Sequence, residues 1–458
     1  MNPTNHQYHG VGMSLKHILL AVLLPLALVS LHAGEHPQAD RHRATAKRML
    51  EWTTADKGLY PLLADFTDHY PKRLSGSQFL ERGLDWIIAK MKAEGWDVTT
   101  QDVMVPHWER GAESLTLQSP YTRSMPFCAL GGSIGTGGKP LRAKVLVVSS
   151  FAELAQRAAD AKGRIVVYNV PFTTYGETVR YRSSGASEAA RYGAVASLVR
   201  SVGPYGIQTP HTGGMGYQDS VAKIPAGAIT IEDALFLQRF QERGETVELE
   251  LSMSARWLPE AKSRNVIIEI KGSELPNEVV VMGGHIDSWD LGTGAMDDAG
   301  GCFVAWRALT MMRQLGLRPK RTIRVCFWTN EENGLRGGNA YAELTKNDRH
   351  VLAIESDAGT FAPTGFNCSD TGAYRQYMEE MATLLEPINA NRIETGGGGA
   401  DIGPLKKYGA VLMGLDVQGD RYFWYHHTEG DTIDKLKEHE MNDCVYAMAI
   451  IAWAGAHQ

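Results

Sequence analysis

From Ser263 onward the sequence alternates between short apolar runs and longer helix-patterned segments, and that alternation leaves few architectures open. The runs are NVIIEI (Asn265 to Ile270), EVVVMGG (Glu278 to Gly284), TIRVCFW (Thr322 to Trp328), HVLAIES (His350 to Ser356) and AVLMGL (Ala410 to Leu415). Nearly continuous apolar runs of this length suit strands covered on both faces. Between them Val304, Ala308, Met311 and Leu315 recur at helical spacing, and Ile433 to Ala456 reads as a long closing helix. The pattern predicts an α/β fold: a mostly parallel central sheet with helices on both faces. Ligands of such sheets bind beyond the carboxyl ends of the strands.

The charged residues of this region fall at those ends. GGHIDSWDLGTGAMDDAGG (Gly283 to Gly301) follows the VVVM run and carries His285, Asp287, Asp297 and Asp298. Glu331 and Glu332 follow TIRVCFW, Asp357 follows HVLAIES, and FWYHHTEGDT (Phe423 to Thr432) sets His426 and His427 beyond AVLMGL. Three ionised carboxylates crowded together would repel and raise one another's pKa values. Two divalent cations reverse that balance, and two imidazoles with three carboxylates form an N/O ligand set suited to Zn²⁺. Metal pairs ~3.5–4 Å apart serve hydrolysis, polarising a carbonyl and activating water. Spacing makes Asp297, at a Gly-rich turn, the bridge; His285 and Asp357 complete one ion, Glu332 and His427 the other. Asp287 is placed to accept the second N–H of the His285 imidazole and fix its tautomer. Glu331, beside a ligand but without a metal to hold, is the candidate general acid/base. Asp298 reads as a helix cap.

Upstream the pattern resets. From Thr45 to about Arg110, LERGLDWIIAKMKAEG (Leu80 to Gly95) ends at a glycine and leads into the strand-like DVTTQDVMV (Asp97 to Val105). Between about Gly111 and Leu258, KVLVVSS and RIVVYNV are strands and SEAARYGAVASLVRS (Ser187 to Ser201) a helix and strand. This stretch reads as an inserted module, residues 112–258, within a main domain formed by 34–111 and 259–458. PHTGG (Pro210 to Gly214) is its one notable polar motif, and His211 is a candidate to cover the cleft.

At the N-terminus, Lys16 and His17 precede ILLAVLLPLALV (Ile18 to Val29), followed by small residues at Ser30, Ala33 and Gly34. A basic flank, an apolar run and a small-residue site describe an export signal over residues 1–33, with Met13 an alternative start. The run is shorter than the ~18–20 apolar residues of a spanning helix. No stable membrane anchor is expected, and the protein is expected to be periplasmic or secreted. The net charge of −6 gives no basic footprint for nucleic acid. Five scattered cysteines without a C-x-x-C pair argue against a thiolate zinc site, and Cys302 and Cys326 read as small core residues.

The order HID, MDD, NEE, SDA, HHTEGDT resembles the co-catalytic zinc exopeptidases of clan MH. RLSGS (Arg73 to Ser77), VPHWERG (Val105 to Gly111), LGLRPKRT (Leu315 to Thr322) and YFWYHHTEGDT (Tyr422 to Thr432) resemble the plasma glutamate carboxypeptidase branch of that clan. The resemblance covers nearly the whole chain after residue 33. It implies a protease-associated-like domain for the insert, two Zn²⁺ per chain and a homodimer. It also selects His427 over His426 as the ligand, by alignment on Asp431 and Thr432. The implied activity is hydrolysis of short peptides, dipeptides foremost, through a metal-bridging hydroxide with Glu331 as general acid/base. Tyr425, His426 and Asp401 are candidate substrate contacts, Asp401 equally a turn residue. The rival readings are a receptor-like binding module on the same fold and a single-zinc, glutaminyl cyclase-like acyl transferase.

Overall fold

The computed structural model describes residues 36–458; the expected export segment and the Met13 start lie outside the described residues. Its frame is an eight-stranded sheet whose centre holds Arg321–Trp328, Leu275–His285, Arg349–Glu355 and Val411–Val417, side by side and parallel. These are four of the five apolar runs. The fifth, NVIIEI, ends a longer strand, Arg256–Ile270, that lies antiparallel to Arg321–Trp328. Only residues 271–274 separate it from Leu275–His285, too few for the crossover that parallel strands require. Thr99–Glu109 adds antiparallel at that edge, and Pro363–Cys368 lies antiparallel to Val411–Val417 near the other. The expectation of a mostly parallel sheet thus holds at the centre, which antiparallel pairs flank on both sides, while Arg392–Thr395 closes the far edge parallel to Pro363–Cys368.

Both faces of the centre are buried, and side chains alternate between them along each strand. Val280, Met282, Ile323, Val325, Phe327, Leu352 and Ile354 face one core, with the helices Gly300–Gln314 and Glu438–His457. Val279, Val281, Cys326, Trp328 and Ala353 face the other, with Arg336–Leu344. Burial of each such aliphatic side chain contributes about 1.5–3 kcal/mol. All five cysteines are buried and unpaired, with Cys302 in the first core and Cys326 in the second. The closing helix starts at Glu438 instead of Ile433, because Leu436 and Lys437 are extended after a 3₁₀ turn at Ile433–Lys435.

Residues between Glu113 and Met253 form a second eight-stranded sheet, with Leu141–Val148, Ile165–Tyr168, Ala196–Arg200 and Ala226–Ile229 parallel in its middle. The chain leaves the first sheet at Glu109 and re-enters at Arg256, and these two residues are cross-strand partners. No helix among the described residues is long and apolar enough to cross a membrane.

Candidate metal centre

The parallel strands deliver the charged residues to one rim. His285 closes Leu275–His285, Glu331 and Glu332 follow Arg321–Trp328, and Asp357 follows Arg349–Glu355. Asp297 lies in the loop that turns into Gly300–Gln314, and His427 follows the short helix Tyr422–Tyr425 beyond Val411–Val417.

The six side chains named from the sequence as ligands and base line a single cavity of about 360 Å³. Asp297 stands between the two imidazoles: its Oδ1 is 3.2 Å from His285 Nε2 and its Oδ2 is 3.4 Å from His427 Nε2. On the first side, Asp357 Oδ1 is 3.3 Å from the same His285 nitrogen. On the second, Glu332 Oε2 is 3.1 Å from His427 Nε2. His426 stacks on His427 with ring centroids 3.5 Å apart, but its Nε2 reaches only Asp297, at 3.6 Å.

Each imidazole is oriented by a backbone carbonyl on its far side. His285 Nδ1 donates to Asp287 O at 2.9 Å, and His427 Nδ1 to Thr212 O at 3.3 Å, so both Nε2 atoms face the cavity. The expected contact from the Asp287 side chain is therefore corrected: Asp287 Oδ1 lies 3.8 Å from His285 Nδ1. The carboxylate instead accepts the N–H groups of Glu331 (3.0 Å) and Glu332 (3.3 Å), which ties both glutamates to the His285 loop.

The Asp297 loop is held by partners that the sequence left without a role. Asp431 accepts the N–H of Met296 at 2.7 Å and of Asp297 at 3.2 Å. Arg73, fully buried, donates to Ile286 O, Thr293 O and Gly294 O at 2.9, 2.6 and 2.7 Å. Asp298 comes near His285 and Asp357, but its oxygens are taken by the N–H groups of His285 and Gly301, at 3.1 Å each. It caps the helix, as its pattern predicts. A Cβ on Gly284 would sit 2.0 Å from Asp298 Oδ2, so this close approach requires glycine.

The electrostatics favour cations. Burial and the neighbouring Asp297 push the Glu332 carboxyl up to about 7. Burial also raises Glu331 well above the carboxylate range; His285 opposes the rise, while Asp357, Glu332 and Asp287 add to it. Asp297, despite its burial, is held well below that range by its hydrogen bonds to the two histidines. The acids cannot all ionise comfortably in this enclosure, and its N/O donors match the preference of a borderline divalent ion such as Zn²⁺.

Two candidate substrate contacts are corrected. Asp401 is fully buried behind the rim, does not line the cavity, and has no hydrogen-bond partner at either carboxylate oxygen. Tyr425 also lies off the cavity, with Lys435 Nζ 5.3 Å from its ring centroid; Tyr422 and Phe423 line the wall instead. His426 does line it. His211 is buried and off the cavity, and the neighbouring Thr212 makes the contact with His427. The cover comes from Tyr175 and Arg182 of the second sheet's region, which sequence reasoning passed over.

Residues 265–452 match Peptidase family M28. Carboxypeptidase Q of Xenopus laevis is 45% identical over 400 residues, covering 87% of this chain and 85% of its own length. The chain belongs to peptidase family M28. It is a metallopeptidase of that family, similar also to human carboxypeptidase Q, at 42% identity over the same 87% of the chain and 85% of that protein. The solved structure of a peptidase M28 precursor from Shewanella amazonensis SB2B superposes with a TM-score of 0.88 at 32% identity, over 92% of this chain and 98% of that one.

Proposed function

We propose that this M28 peptidase is an exported di-zinc exopeptidase that hydrolyses short peptides, dipeptides foremost. The observation that carries the reading is Asp297, whose two oxygens face two imidazoles, each with a carboxylate of its own: Asp357 beside His285, Glu332 beside His427. That is one bridge and two complete halves. When bound, two zinc ions would supply Lewis acidity to the scissile carbonyl and acidity to the attacking water.

The chain's own residues do the rest. Glu331 takes a proton from the water as its oxygen bonds to the carbonyl carbon, and returns it to the amide nitrogen as the C–N bond breaks. Its buried, acid-crowded position raises its proton affinity, which suits a group that must hold a proton between the two steps. Asp287 keeps this base in register with the His285 ligand through the backbone of Glu331. A cavity of about 360 Å³ limits the substrate to a few residues, and the relatives' carboxypeptidase name agrees with a free C-terminus. The stretch 112–258 is then a protease-associated-like insertion that roofs the site, and the run Ile18 to Val29 an export signal.

The test combines a metal count with a substrate screen. Two zinc ions per chain and chelator-sensitive hydrolysis of dipeptides are expected. One zinc per chain with cyclisation of N-terminal glutamine would favour the acyl-transfer reading instead. Two zinc ions with no turnover of any short peptide would leave a binding module.

A further inference from the structure

We propose that Trp289 is a positioning residue for the second half of the metal centre: wedged against Gly131 of the second sheet's region, its indole sets the Glu332 carboxylate through the Trp289 N–H. The two oxygens of Glu332 have separate tasks. Oε1 accepts the Trp289 N–H at 3.1 Å, and Oε2 is the atom 3.1 Å from His427 Nε2. A carboxylate fixed at one oxygen presents the other in a defined direction, as the outer partners of metal ligands ensure. The indole also lies against the second ligand, its ring 5.8 Å from that of His427 and tilted 60° to it. One residue thus meets both side chains that complete the second ion beside the Asp297 bridge.

What holds Trp289 lies on the other side. It follows the metal-bearing strand Leu275–His285 closely, yet its side chain is 2% exposed and belongs to the core that also holds Trp108, Ala129 and Met253. Gly131 lies directly over the ring. A Cβ there would stand 1.9 Å from Cη2 and 2.2 Å from Cζ3, and its three nearest neighbours would all be indole atoms. Such an approach is open only to a residue without a side chain. Gly131 is itself fixed, donating its N–H to Gly213 O at 3.0 Å and accepting from the Met215 N–H at 2.9 Å. Gly213 adjoins Thr212, whose carbonyl orients His427. The second sheet's region therefore reaches Glu332 by way of the indole and His427 by way of Thr212. His285, by contrast, is oriented by Asp287 O of its own loop. The buried indole Nε1 meets no acceptor, so the ring contributes by its bulk and rigidity.

The proposal rests on the di-zinc reading above, and its test separates the two. Stepwise zinc affinities are measured against a chromophoric chelator for the wild type, for Gly131→Ala and for the double variant Gly131→Ala, Trp289→Phe. Gly131→Ala aims one methyl group at the indole. It should weaken one of the two zinc ions by about 10–100-fold, the range for partners that orient ligands, and spare the other. Trp289→Phe withdraws the far edge of the ring and keeps the backbone N–H, so adding it to Gly131→Ala should restore the lost affinity. With cobalt(II) in place of zinc, the visible absorption of the weakened ion should shift in Gly131→Ala and return in the double variant, a signature that lost stability alone does not produce. In crystals of metal-free Gly131→Ala, the Glu332 carboxylate should lie farther from His427 Nε2 than the 3.1 Å of the unaltered chain. Full zinc affinity in Gly131→Ala, a double variant as weak as the single one, or an unmoved carboxylate would overturn the role of Trp289. A wild type that takes up a single zinc would count against the di-zinc reading alone, because the crystals still decide whether the indole sets Glu332.

Discussion

His427 and Thr212 exchange two hydrogen bonds across the meeting of the two sheets: Thr212 N–H donates to His427 O at 2.9 Å, and His427 Nδ1 donates back to Thr212 O at 3.3 Å. His427 needs the support, because its φ of 61° lies in the left-handed region. A non-glycine residue held there costs on the order of 1 kcal/mol or more and persists only where its surroundings over-determine it. Thr212 is in turn fixed through its hydroxyl, which accepts from Arg110 at 3.1 Å and donates to Ala129 O at 2.9 Å. Thr212→Ala should therefore weaken the second metal by about 10-fold, within the range for residues that orient ligands. Zinc titration of the apoprotein against a chromophoric chelator measures it, and an unchanged second affinity would refute the coupling.

Glu331→Gln keeps the shape of the base and removes its proton transfer. Both metals should remain, and kcat should fall by about 10²–10⁴-fold. A rate near wild type would mean that another group moves the proton.

The two adjacent histidines should behave differently. His427 faces both Asp297 and Glu332, whereas His426 approaches Asp297 alone. His427→Ala should bring zinc content toward one per chain by atomic absorption, and His426→Ala should leave it near two. Equal content in the two variants would reverse the choice of ligand.

Arg73 binds three carbonyls of the loops that carry His285 and Asp297 from a fully buried position, its pKa brought down to about 10 by burial. Arg73→Ala leaves those acceptors without partners and should cost at least ~3 kcal/mol in urea unfolding. A loss under 1 kcal/mol would show that the loops hold themselves.

His350 gives the fold a pH dependence remote from the candidate metal centre. Its Nε2 meets the Tyr341 hydroxyl at 2.9 Å, its Nδ1 is buried without a partner, and burial with Arg324 nearby lowers its pKa from 6.5 to about 4. Between those values the unfolded chain binds the extra proton and the folded one does not, so stability falls as pH drops through that window. The full effect is on the order of 3 kcal/mol. Unfolding midpoints between pH 7 and 4 should decline less steeply in His350→Gln than in wild type; parallel declines would exclude this histidine as a source.

What could be read from the sequence was what periodicity and adjacency encode. The apolar runs marked the central strands, and acids or histidines just past them marked the rim, because a strand's end fixes where the next residues stand. The antiparallel pairing on either side of the centre was hidden, since alternation does not state direction; the short 271–274 connection was the available clue. Arg182 and Tyr175 left no such trace. They lie more than a hundred residues before His285 in a segment without clustered acids, and only the packing of the second sheet brings them over the cavity. Tyr425 was mistaken for Tyr422 and Phe423 because a four-residue helix turns neighbouring aromatics to different sides. Asp401 carried a polar signal on a glycine-rich loop that folds inward, where sequence offers no measure of burial.

The pairing of Glu109 with Arg256 has an evolutionary consequence. An excursion of nearly 150 residues starts and finishes at adjacent points on one ribbon, so it can be exchanged as a cassette while the strands beneath keep their register. Any such exchange must still return the Thr212 carbonyl to the same point, because that atom belongs to the excursion and yet orients the His427 imidazole.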